Sequence, residues 1–197
     1  MKILNLTQNS RVYTSNVYFV SGTWNAIKDM NTLIDVGRDA SIIETINYTH
    51  TGLGQAKVNQ VFLTHSHYDH ASLLPDIKKN FRPDVYAWSK FLDGVDHCLE
   101  NGQIFRIADD YFEIIYTPGH SNDSICLYCE TEKILFSGDT PLVIHTTGGS
   151  YEEGYVLALE NLAQRDIQTI YPGHGQPSQT DCNTLIRRTL DIVLKSF

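Results

Sequence analysis

The chain has 197 residues, of which 42% are apolar and 19% charged, with a formal net charge of −8. A chain of that length can bury a substantial core, so a single domain spanning residues 1–197 is expected, and the acidic balance with no Lys/Arg-rich run excludes a general nucleic-acid or anionic-membrane surface. No apolar run reaches the roughly 20 residues of a membrane span, and "MKILNLTQNS" is too poor in apolar residues for a secretory leader, so a cytoplasmic protein is expected.

In chain order, "NVYFVSG" (16–22) and "NTLIDVG" (31–37) are β-rich runs that stop at glycine. "ASIIETINYTHTG" (40–52) has helical spacing and a terminal glycine. "VNQVFLTH" (58–65) is another β-rich run, ending on a histidine cluster. "ASLLPDIKKNF" (71–81) reads as a helix whose proline kinks it or marks its true start. "PDVYAWS" is a short strand, and "QIFRI" and "YFEIIYTPG" pair around the acidic turn "ADD". "SICLYCETEKILFSGD" (124–139) reads as a hairpin turning near Glu132, and 150–164 as an amphipathic helix. "IQTIYPGHG" is a strand, and 181–196 a last helix with Asp181 as its N-cap. Strands and helices alternate in both halves, which implies sheets covered by helices.

The stretch "FLTHSHYDHASL" (62–73) places His65, His67, Asp69 and His70 within six positions. On a strand continued past its end, His65 and His67 would face one side and converge on one ion. Asp69 and His70 follow in a turn that can aim them elsewhere. Four such residues are too many for one catalytic zinc, which takes three protein ligands and keeps a position open. His120 in "YTPGHS", Asp139 in "LFSGDT" and His174 in "IYPGHG" each close a β-rich run beside a glycine, where open sheets present functional side chains. One histidine at a strand end is ordinary, but five of the eight in this order are not. His50 and His97 lack that context and are read as exposed, whereas His145 follows Asp139 on the rim. Cys126 and Cys129 form a C-x-x-C within a strand pattern, pointing to opposite faces, and read as reduced buried thiols.

"THSHYDH", "TPGHS", "SGDT" and "YPGHG" together resemble the metallo-β-lactamase superfamily over residues 16–177, and within it a small glyoxalase II-like (hydroxyacylglutathione hydrolase-related) member. The resemblance implies an α/β fold, a four-layer αβ/βα sandwich of two mixed sheets with helices on the outer faces. It implies two divalent metal ions, zinc first and iron or manganese as alternatives. His65, His67 and His120 would bind one, Asp69, His70 and His174 the other, and Asp139 would bridge them. The expected chemistry is hydrolysis of a thioester, ester or lactone by a metal-bound hydroxide, with Asp69 orienting the nucleophile and passing a proton. The partner is then a small-molecule substrate, with neither nucleic acid nor membrane. The loop 140–155 is expected to wall the substrate site and to offer His145, Thr146, Tyr151 and Tyr155, with His145 and Tyr151 foremost. Two alternatives follow from relatives of the same fold: a mononuclear iron persulfide dioxygenase using the positions of His65, His120 and Asp139, and a nuclease or phosphodiesterase.

Overall fold

The computed structural model describes residues 1–52 and 54–196. The elements run β1 (Lys2–Asn5), β2 (Tyr18–Ser21), β3 (Thr32–Ile34), α1 (Ser41–Tyr48), β4 (Gln60–Phe62), α2 (Tyr68–Ala71), α3 (Leu74–Phe81), β5 (Asp84–Ala87) and β6 (His97–Cys98). There follow β7 (Ile104–Ile107), β8 (Asp110–Tyr116), β9 (Ile125–Cys129), β10 (Ile134–Gly138), α4 (Glu153–Ala163), β11 (Thr169–Pro172) and α5 (Cys182–Leu194). The first six strands form one sheet in sequential order, antiparallel across β1, β2 and β3 and parallel from β3 to β6. The other five form a second sheet, β11-β10-β9-β8-β7, in which only β10 and β11 are parallel.

The central strands are apolar on both faces because each sheet is covered twice. Val17, Phe19, Leu33, Val61 and Leu63 pack with Ile42 and Ile46 of α1 and Leu74 and Ile77 of α3. The alternate residues Tyr18, Val20, Ile34 and Phe62 face Phe112, Ile114, Leu127 and Phe136 of the second sheet. Beyond that sheet, Ile115, Tyr128 and Leu135 meet Leu159 and Leu162 of α4 and Ile186 and Val193 of α5. The period of two thus builds three apolar layers between four structural ones, the expected αβ/βα sandwich. Cys126 and Cys129 fall in different layers, both buried, as their strand spacing requires.

Several boundaries differ from the sequence reading. The first helix ends at Tyr48, and Thr49 leaves it in an extended conformation, so Gly52 does not cap it. The helix read over 71–81 is two pieces, with Pro75 in the first turn of α3, where a missing N–H costs nothing. Asp181 takes the N-cap place of α5 in a left-handed conformation and makes no side-chain cap bond; its carbonyl accepts from the Leu185 N–H. Strands β1 and β6 were not read at all. Both are edge strands, and neither is buried on both faces. Among the described residues, no helix is long and apolar enough to cross a membrane.

Candidate metal centre

Strand β4 stops at Phe62, so His65 and His67 lie on the following loop and not on a strand extension. That loop is fixed by Asp35, the residue after β3. Its carboxylate accepts from the Thr64 N–H at 2.8 Å and the Thr64 hydroxyl at 2.9 Å. It also lies 2.8 Å from His70 Nδ1. Thr64 Oγ1 in turn stands 3.1 Å from His65 Nδ1. The N–H groups of Val36 and Gly37 both donate to the His70 carbonyl, which seats α2 and brings Asp69 and His70 to the sheet end. The backbone of Asp35 is left-handed, with φ of 59°, a conformation that three polar contacts to one buried carboxylate can hold.

The second sheet delivers the other candidates. His120 follows β8, Asp139 follows β10 and His174 follows β11. Gly138, with φ of 49°, turns the chain, and its carbonyl accepts from the Gly173 N–H at 2.7 Å. Gly173 is required for space: a Cβ there would lie 2.2 Å from Asp139 Oδ1 and 2.7 Å from His70 Cε1.

These seven side chains converge. Three trios, His65–His67–His120, His65–His70–Asp139 and Asp69–His70–His174, each bring one ligand atom apiece within 4.8 Å of one another. His120 Nε2 is 3.0 Å from His67 Nδ1, and His174 Nε2 is 3.1 Å from Asp69. Asp139 stands between the outer trios, 3.4 Å from His70 Nε2 and 3.5 Å from both His120 and His174. Ligands held about 2.0–2.2 Å from a common ion sit at about these separations from each other.

Two buried imidazole atoms, His65 Nε2 and His70 Nε2, have no hydrogen-bond partner. Buried polar atoms are normally paired, so donors left open toward a shared space fit a cation that accepts their lone pairs. Burial pushes His65 down to about 4, leaving it neutral and able to donate. Burial would lower His70 too, but the carboxylates of Asp35 and Asp139 outweigh it and hold this imidazole up at about 10. Asp139 is held down at about 2, because its contacts with His70 and the charges of His174 and His65 overcome its burial. The proton on His70 therefore occupies electrostatically the place a cation would take. The residues fit a divalent metal.

Asp35 was missed, although "LIDVG" carries the same signal as "LFSGD": a carboxylate closing an apolar strand. Tyr13 was missed as well. Its exposed ring stacks on His174, with centroids 5.7 Å apart and planes at 17°, and the Asp69 charge raises its phenol. Of the loop residues, Tyr155 is a core residue donating to the Pro141 carbonyl, not a free donor. Tyr151 stands with Gly119 and Pro141 on a separate cavity of about 260 Å³. His145 and Thr146 are exposed and belong to none of the three trios, and His50 and His97 are exposed as expected.

A family model described as the metallo-beta-lactamase superfamily matches residues 11–174. The chain is similar to the atrochrysone carboxyl ACP thioesterase of Aspergillus fumigatus, 29% identical over 147 residues, 73% of this chain and 46% of that protein. It is 35% identical to the atrochrysone carboxyl ACP thioesterase AgnL7 of Paecilomyces divaricatus over 123 residues, 60% of this chain and 38% of that protein. The probable hydroxyacylglutathione hydrolase glo2 of Schizosaccharomyces pombe is 30% identical over 151 residues, 72% of this chain and 57% of that one. The chain spans about half the length of the curated relatives it matches. Among solved structures, the metallo-beta-lactamase family protein TTHA1429 from Thermus thermophilus superposes with a TM-score of 0.67 at 19% identity, covering 96% of this chain and 78% of that one. TTHA1623 in a di-iron-bound form gives a TM-score of 0.66 at 22% identity, covering 96% and 98%. The family model covers most of the chain and the fold agrees with it, and the chain belongs to the metallo-beta-lactamase superfamily.

Proposed function

We propose that this chain is a metal-dependent hydrolase that cleaves a thioester, using two divalent ions. One would be held by His65, His67 and His120, the other by Asp69, His70 and His174, with Asp139 shared. The observation that carries this is Asp139, within 3.5 Å of His70, His120 and His174, beside two buried imidazole nitrogens that nothing else satisfies. Bound divalent ions would supply Lewis acidity toward a carbonyl oxygen and a water acidified to near neutrality. Asp35 holds His70 by Nδ1, which leaves Nε2 as its ligand atom. His65 stays neutral because it is buried. Asp69, on α2 and 3.1 Å from His174, would orient the attacking water and pass its proton. Tyr13 covers His174 from the solvent side and is protonated there, a hydrogen-bond donor at the edge of the centre.

The relatives' names support the thioester: two are acyl-carrier-protein thioesterases and one a hydrolase of an acylated glutathione. The trio Asp69–His70–His174 argues against the single-iron dioxygenase, which needs only His65, His120 and Asp139. The net charge of −8 argues against a nuclease. Elemental analysis of protein purified without added metal, paired with thioester, lactone and phosphodiester substrates, tests the reading. Close to two metals per chain with preferential thioester cleavage is the expected result. One iron per chain, with oxygen uptake and no cleaved thioester, overturns it.

A further inference from the structure

Two cavities open beside the ligand cluster, and they differ in chemistry. The first, about 440 Å³, is lined by His120, Asp139 and His174, by Leu142, Val143, Ile170 and Leu185, and by neutral polar side chains such as Thr140 and Gln176. Among the described residues, Asp139 is the only carboxylate that lines it, and no lysine or arginine does. The second, about 570 Å³, starts at Ser66 and Ser121, chain neighbours of His65, His67 and His120, and includes Trp88, Lys90, Asn122 and Asp123. Resting on the thioesterase reading, we propose that the first cavity holds the acyl chain of the substrate and sets a preference for long, apolar acyl groups.

The argument rests on where the walls come from. Leu142 and Val143 lie on the loop directly after Asp139, Ile170 lies on β11, and Leu185 sits in the first turn of α5. Leu142 and Ile170 are buried in the layer beneath α4 and α5, so the cavity floor is continuous with the core. Val143 is 50% exposed, and Leu185 stays outside the apolar cluster that takes its neighbour Ile186. Apolar side chains held at a cavity beside reactive groups mark a surface meant to be covered. The volume falls within the range of roughly 300–1,000 Å³ typical of small-molecule sites. An anionic thiol portion would find no lysine or arginine in these walls, whereas Lys90 of the second cavity suits it. The acyl group therefore takes the Asp139–His174 side.

Calorimetric titration of the purified metal-loaded chain with straight-chain carboxylates, acetate to decanoate, reads the cavity without turnover. Each added methylene should tighten Kd by up to about fourfold, the equivalent of about 0.8 kcal/mol, until the cavity is full. The kcat/KM of N-acetylcysteamine thioesters should rise in parallel from acetyl to decanoyl. Val143→Trp, at a half-exposed position, and Leu185→Trp, on the inner wall, should both move the plateau to shorter chains; far-UV circular dichroism checks that each folds. A Kd that does not change with chain length, or a plateau that neither variant moves, overturns the cavity assignment. Chain-length-dependent carboxylate binding without cleavage of any thioester overturns the thioesterase reading and leaves the cavity as an apolar-chain site.

Discussion

A single carboxylate, Asp35, organises one side of the centre. It accepts both Thr64 bonds and meets His70 Nδ1, at 2% exposure. Replacing it with asparagine keeps the size but lets the amide present an N–H to His70, so the imidazole loses its fixed acceptor. Partners of this kind set ligand orientation and basicity, and their loss costs about 10–100-fold in metal affinity. Asp35→Asn is therefore expected to weaken metal binding by that factor in chelator competition; an unchanged affinity would show that His70 is oriented by something else. The ligand histidines also set how the metal-stripped protein responds to pH. His65 is lowered to about 4 from 6.5, so between those values the unfolded chain binds a proton the folded one does not, and stability falls as the pH drops. His70 is raised to about 10, so its contribution is complete below 6.5 and is lost as the pH climbs toward 10. In the presence of a chelator the urea midpoint should decline on both sides of neutrality, and a midpoint that is flat from about pH 5 to pH 9 contradicts these two shifts.

Elements explain why part of this centre was legible in the sequence and part was not. The seven ligand candidates stand out because four of them crowd into six positions after β4 and the other three each follow a strand beside a glycine. Asp35 closes a strand too, but one aspartate inside "LIDVG" has no neighbouring histidine to draw attention. Tyr13 lies in the long connection from β1 to β2, where no periodicity operates, and reaches His174 only through the fold. The edge strands β1 and β6 escaped for the opposite reason: with water on one side, their residues need not be apolar. Glycines beside ligands were visible as turns, but spacing alone could not show that Gly173 is a steric requirement. Adding one methyl there drives into Asp139, just after β10, and His70 on α2. Misplacement of about 1 Å can cost on the order of 10²-fold in rate. Gly173→Ala is expected to fold and to lose about that much kcat/KM, with reduced metal content; wild-type activity would mean that β11 shifts freely against β10.

At the scale of the whole molecule, the candidate ligands are divided between the two sheets. His65, His67, Asp69 and His70 follow β4, while His120, Asp139 and His174 follow strands of the second sheet. The sheets otherwise meet through apolar side chains, Phe62 and Ile34 against Phe112 and Phe136. Dispersion and hydrophobic contact hold that layer together without directional bonds, whereas a metal shared by residues of both sheets would fix their ends to one point. A metal that binds only the folded chain stabilises it by mass action, by about 2.7 kcal/mol at a hundredfold excess over Kd. For a chain of this size each kcal/mol shifts Tm by about 2–4 °C, so stripping should lower Tm by roughly 5–10 °C for each metal lost, reversibly on readdition. Amide exchange should then rise most at the sheet ends near Thr64 and Gly173 and least in β9, whose five residues are all buried. A Tm that is unchanged by the chelator, with metal loss verified, would mean that the apolar layer alone fixes the two sheets and that the ligand cluster is pre-formed without its ions.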